Sequence, residues 1–191
     1  MRKLIVFILC ICITFLVTSC ENNVTWNGKT ESIGTLTMVL DFTNLYEYVG
    51  IVDHVFVGTV EVADYNISED MAQYESSLSK YQIRVDRNLK GQLVENIECS
   101  KMGGLKKDGT MLVVAAETPN GKMVMDTGLP EVGKQYIFLA YTQPDGSLTL
   151  SEIFDNREYN EALLVEYLNY IENEISFDRE RFVSEYTKSG D

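Results

Sequence analysis

The sequence predicts a mainly β protein, a small antiparallel barrel followed by a C-terminal helix or helix pair. Three observations carry this. Val52–Val62 is a long β-branched run interrupted by one glycine, Gly58. Asp108-Gly109, Asn120-Gly121 and Asp145-Gly146 each separate two apolar runs, the strongest short-range sign of a tight hairpin. After Asp155 the apolar spacing changes from two to three and four, the period of a helix.

Taken in order, Thr35–Phe42 alternates in part and predicts a short strand. Thr43 is a candidate N-cap, with Glu47 in the first turns, for a short helix carrying Leu45, Tyr46, Tyr48 and Val49. In Val52–Val62, residues Phe56, Gly58, Val60 and Val62 fall on one side, and Val57, Thr59 and Glu61 on the other. Its first half is apolar on both faces, as in a strand covered twice, and its second half alternates. A glycine inside such a run marks a bend or bulge. Ala63–Lys80 is a long polar connection, with Met71, Tyr74 and Leu78 at helical spacing. Lys80–Leu89 alternates Tyr81, Ile83 and Val85 with Gln82, Arg84 and Asp86, and Lys90-Gly91 turns the chain. Leu93–Met102, Met111–Ala116, Met123–Met125, Gln135–Tyr141 and Leu148–Phe154 complete the strands; the almost wholly apolar Gln135–Tyr141 is expected to be central. Asp155 or Asn156 would cap a helix bearing Tyr159, Leu163, Leu164, Tyr167, Leu168, Ile171 and Ile175, a stripe expected to pack on the barrel. A second short helix is expected over Asp178–Val183.

The 191 residues, with 16 Lys+Arg against 29 Asp+Glu, allow one domain with a real core. Arg2 and Lys3 precede an apolar stretch, Leu4–Val17, of 14 residues. That is too short for an ordinary membrane-spanning helix and right for a secretory leader. Without residues 1–19 the net charge moves from −13 to −15, because the leader carries two bases and no acid. Such a surface repels phosphate backbones, so nucleic acid is not an expected partner.

The leader ends Leu16-Val17-Thr18-Ser19-Cys20. This resembles the lipobox of bacterial lipoproteins. The resemblance implies cleavage between Ser19 and Cys20, a diacylglyceryl group on the Cys20 sulfur, and attachment to the extracytoplasmic face of the bacterial cell membrane. Two acyl chains hold a protein on a bilayer durably where one does not. The expected organisation is a signal peptide at 1–19, a polar tether at 20–34, the barrel at 35–155 and a C-terminal helical segment at 156–191. A flexible tether of that length spans on the order of 20 Å. Trp26 within it could pack on the body or sit at the membrane surface.

The stretch from Ile51 to Phe154 resembles the netrin-like barrel of the oligonucleotide/oligosaccharide-binding (OB) type, as in tissue inhibitors of metalloproteinases. The matching pieces are Val52-Asp53-His54 leading into Val55–Val60, then Tyr81–Val85 ending at Leu89-Lys90-Gly91, then Gly133–Leu139 running on through Pro144–Leu150. The resemblance implies an OB-like barrel. It does not carry inhibition: in that family the resemblance implies a free, disulfide-fixed N-terminal cysteine that ligates the protease zinc, whereas Cys20 would be acylated.

The reactive residues are few. Once Cys10 and Cys12 leave with the leader and Cys20 carries lipid, Cys99 alone remains, so no internal disulfide can form. Cys99 shares a face with Ile97 and reads as a small buried hydrophobe; a nucleophilic role would need a base, and His54 is the single histidine. One histidine and one thiol cannot build a zinc site. No calcium loop, phosphate-binding loop, dinucleotide fingerprint or Gly-x-Ser-x-Gly is present. His54 beside Asp53 reads as a strand-edge residue before it reads as a base. No catalytic residue, metal or cofactor is therefore assigned. The expected function is a non-enzymatic binding module for an extracytoplasmic protein, peptide or glycan, with an inhibitor-like module second and a hydrolase using Asp53, His54 or scattered acids third.

Overall fold

The computed structural model describes residues 24–37, 41–67, 77–153 and 155–188. The leader, Cys20 and the expected stripe residues Met71 and Tyr74 lie outside them. Five strands close an OB-like barrel: β2 (His54–Asp64), β3 (Leu78–Lys90), β4 (Asn96–Met102), β8 (Gln135–Thr142) and β9 (Leu148–Leu150), in the order β2-β3-β4-β9-β8. The pairs are antiparallel except β4 with β9, which meet in parallel through Cys99↔Leu148 and Ser100↔Thr149. β8 lies between β2 and β9, as its apolar run predicts.

Gly58 has the role its sequence position implies. The β2–β3 register shifts between Val57 and Gly58. A Cβ there would lie 2.7 Å from Ile83 Cγ2 and 3.1 Å from the Arg84 carbonyl oxygen, so only glycine lets β3 come this close. The double apolar face of early β2 is also explained. Phe56 and Val60 point into the barrel with Ile83, Ile97 and Phe138, while Val55 and Val57 point outward into a second core with Val49, Leu163, Leu164 and Tyr167.

Three strands inserted between β4 and β8 form a second sheet with β1 (Thr30–Thr37), which precedes the barrel. Its order is β1, β6 (Met111–Glu117), β5 (Gly104–Leu105), with β7 (Met123–Met125) also paired to β6. The three Asp/Asn-Gly turns form with positive φ of 83°, 79° and 87° at Gly109, Gly121 and Gly146, the region those hairpins require. β1 runs parallel to β6 from Thr30↔Met111 onward, so the segment expected as a free tether is strand from Thr30. The cause is long-range pairing: Asn27 N–H donates to the Gly109 carbonyl (2.9 Å) and its side chain to the Asp108 carbonyl (2.9 Å).

Helix α1 (Leu45–Ile51) is capped by Asn44, not Thr43: the Asn44 side chain accepts from the Tyr46 amide (3.2 Å) and donates to the Glu47 carboxylate (2.9 Å). Thr43 is occupied with Asp41. Helix α2 (Glu161–Glu172) starts at Asn160, whose side chain accepts from the Leu163 amide (3.0 Å). The expected cap Asp155 is held by Arg157 and the Tyr167 hydroxyl, and Tyr159 still donates its amide to Gln135 of β8. Leu163, Leu164 and Tyr167 bury against the barrel as expected; Leu168 and Ile175 stay exposed. Residues 178–183 form no helix. Arg179 and Arg181 there bond to the last carbonyls of α1 at Gly50, Ile51 and Val52 (2.8–3.1 Å), a cationic C-terminal cap that a local helix would break.

Candidate functional site

A groove of about 410 Å³ lies over β3, β4 and the start of β9. Its floor is Tyr81, Cys99 and Leu148, whose side chains belong to the barrel core. Alternation then sets the rim, because residues flanking those on β3 and β4 must face outward: Lys80, Gln82, Glu98 and Ser100. Val62 and Asp64 at the end of β2 and Ser147 before β9 close two sides.

The remaining wall is the C-terminal strap. β4 and β9 share only two residue pairs, which leaves a seam. Residues 184–188 bridge its end, between the segment before β4 and the turn before β9. Val94 donates its amide to the Tyr186 carbonyl (2.8 Å), Lys188 to Gln92 (2.9 Å) and Glu185 to Gly146 (3.2 Å). Tyr186 packs against the barrel core, and Glu185 and Tyr186 line the groove. The strap satisfies backbone groups that a seam of unpaired strand ends would leave open.

The groove is acidic, with Asp64, Glu98 and Glu185 against Lys80. Gln82 donates to Glu98 (3.3 Å), fixing one carboxylate on the rim. Burial raises the Tyr81 phenol well above its ordinary value despite the hydrogen bond from Ser79 (2.9 Å). Burial also pushes the Cys99 thiol far up, so it is not a thiolate at neutral pH. The sequence expectation of a small buried hydrophobe is met.

Asp53 and His54 are neighbours in sequence but serve different contacts. The Asp53 carboxylate accepts from the Thr142 amide at Oδ2 (2.9 Å) and from Arg181 at Oδ1 (3.0 Å), and Oδ2 also lies 2.6 Å from Arg179 Nη2, an ion pair off hydrogen-bond alignment. Burial raises its pKa, but Arg179, Thr142 and Arg181 together outweigh that and hold it below the ordinary carboxylate range. His54 Nε2 lies 3.1 Å from the Thr142 hydroxyl, and Nδ1 has no hydrogen-bond partner. Burial depresses its pKa, with Asp53 opposing and Lys90 assisting. Gly91 packs so closely over the ring that a Cβ there would collide with Nδ1. A sealed, neutral imidazole with no bond to Asp53 or Cys99 does not form a catalytic pair with either.

Sequence reasoning missed a buried polar cluster. Lys101 of β4 and Asp126 after β7 form an ion pair with both side chains fully buried. Glu152 lies beside them; burial raises its pKa, Lys101 pulls it down and Asp126 pushes it up. Next to it the Tyr48 and Ser151 hydroxyls bond to each other, and Ser151 donates to the Ile153 carbonyl (2.8 Å). These are residue types that can do acid-base work, yet the Lys101 and Asp126 side chains are shut off from solvent. The cluster ties barrel, inserted sheet and α1 together. A lysine among the inward positions of a strand was the available signal.

Among the described residues, no three histidine, cysteine or carboxylate side chains are placed to hold a metal ion, and no helix is long and apolar enough to cross a membrane. No protein-family model and no curated protein matches this chain.

Proposed function

We propose that the chain is a membrane-anchored extracytoplasmic binding module, attached through a diacylglyceryl group on Cys20, that works without catalysis. The observation that carries the binding role is the position of the groove. It covers β3 and β4, the second and third strands of an OB-like barrel, the face on which such barrels take extended chains. The acidic rim favours a basic or neutral polypeptide over an acidic glycan. The strap adds Glu185 and Tyr186 to one wall of that groove. The reactive side chains support the absence of catalysis: Cys99 and His54 are held neutral by burial, and Lys101 is fully buried in its ion pair with Asp126.

The test uses lysine-rich, neutral and glutamate-rich peptides against the full mature protein. Binding of basic peptides should weaken with salt, and Glu98→Lys should reduce it about tenfold or more, equivalent to about 1.4 kcal/mol. Equal affinity for basic and acidic peptides, or no effect of Glu98→Lys, rejects the groove. Anchorage is tested separately: Cys20→Ala should leave the protein without its diacylglyceryl group, as mass spectrometry reads directly.

A further inference from the structure

A second cavity, of about 700 Å³, lies between the barrel and the inserted sheet. That is the size of a small-molecule site. Its walls are mostly apolar: Val24, Trp26, Tyr65, Leu105, Met111 and Leu129. The polar ends of its aromatic residues are already engaged. The Trp26 indole N–H donates to the Lys29 carbonyl (2.8 Å), the Tyr65 hydroxyl donates to the Pro130 carbonyl (2.7 Å), and the Tyr136 hydroxyl accepts from the Glu131 amide (3.4 Å). An occupant therefore meets apolar surface more than hydrogen-bonding groups. That suits a hydrocarbon chain and not a glycan, which needs partners for its hydroxyls. Trp26 is nevertheless 55 % exposed, an indole body facing outward with its one donor satisfied.

The chain leading to this cavity says where it sits. Val24 and Thr25 form its edge, and the segment is pinned to the protein by Asn27 and by Met111 N–H donating to the Lys29 carbonyl (3.0 Å). Four peptide steps separate Val24 from Cys20, a reach of at most about 14 Å. If Cys20 bears lipid, the cavity is held within that distance of the acylated residue. The interfacial zone of a leaflet is itself about 5–7 Å deep. Tryptophan favours this depth. The net charge of −15 without the leader disfavours anionic lipids, while Glu131 and Lys134, which line the cavity, place both signs at its rim.

We propose that the cleft between the barrel and the inserted sheet binds the acyl chain of a zwitterionic lipid from the membrane to which the protein is anchored. This rests on the anchored-module reading for its location, not for its chemistry.

Trp26 is the single tryptophan of the chain, so its emission reports on this cleft alone. The first arm adds dihexanoyl phosphatidylcholine, below its micelle concentration, to protein carrying no lipid on Cys20. A saturable blue shift of Trp26 is expected. Leu129→Asp should weaken it about tenfold or more, with Leu129→Ser as a milder second variant and circular dichroism confirming that both fold. The second arm places the acylated protein in phosphatidylcholine vesicles with brominated chains. Trp26 should be quenched, and Leu129→Asp should reduce the quenching without releasing the protein. No saturable shift in the first arm overturns the proposal. So does equal quenching of wild type and Leu129→Asp, which would mean that Trp26 dips into the bilayer and the cleft holds nothing. Acylated protein already blue-shifted in detergent-free solution and unresponsive to added lipid would place its own anchor chains in the cleft, which also overturns it. A saturable shift without vesicle attachment would support the cleft and reject the anchor.

Discussion

Replacing Lys101 by methionine tests how the three layers are joined. Lys101 and Asp126 have fully buried side chains, and Glu152 lies beside them. Methionine keeps the length and the packing but removes the cation. Asp126 then remains buried with the Gly128 amide (3.4 Å) still donating to it and its ion-pair partner gone. Breaking a buried pair from one side costs about 3–5 kcal/mol, because a charge is left uncompensated. For a chain of this size each kcal/mol lowers Tm by about 2–4 °C, so a fall of roughly 6–20 °C is expected. The double variant Lys101→Met/Asp126→Leu removes both charges and should recover most of the loss, since a buried pair replaced by apolar residues is often neutral. Urea unfolding of wild type, both single variants and the double variant gives the coupling directly. A single-variant cost below about 1 kcal/mol would refute the argument. So would a double variant no more stable than Lys101→Met.

Other perturbations follow from the same physics. Asp53 titrates below the ordinary carboxylate range when folded, so the stability it contributes is complete above the unfolded value of 3.8 and lost as pH falls through the folded one. Asp53→Asn should cost about 1.5–3 kcal/mol near neutrality and flatten this acid limb in pH-dependent unfolding; an unchanged limb would show that the arginine clasp is not coupled to folding. His54 has a folded pKa below 6.5, so the unfolded chain takes a proton first and stability declines as pH drops from 6.5 towards the folded value. NMR titration of this single histidine reads the shift, and a normal pKa would contradict its burial. Gly58→Ala should cost about 1–3 kcal/mol by overpacking against Ile83; a neutral result would mean that the bulge accommodates a methyl group.

Local signals made much of the architecture legible. Asp108-Gly109, Asn120-Gly121 and Asp145-Gly146 needed only their own φ preference to mark hairpins. Gly58 marked a bulge because a glycine between β-branched residues has few other uses. The Leu163, Leu164 and Tyr167 stripe revealed a helix that buries one face. Each depends on neighbours within a few positions, and chain stereochemistry acts at that range. The groove was not legible, because its floor joins β3, β4 and β9 and its wall comes from residues 185 and 186.

What the sequence determined by itself was the barrel strands, the barrel class and the scarcity of reactive groups, since periodicity, turn chemistry and composition fix these without knowledge of contacts. What the tertiary structure decided was pairing at a distance. It laid Thr30–Gly34, expected as tether, against β6 as the start of β1. It drew Arg179 and Arg181 to the end of α1 and so kept residues 178–183 from becoming a helix. It brought Lys101 to Asp126, 25 positions away. In each case hydrogen bonds or ion pairs between segments outweighed a local preference worth a few tenths of a kcal/mol per residue, and only the folded arrangement sets those partners.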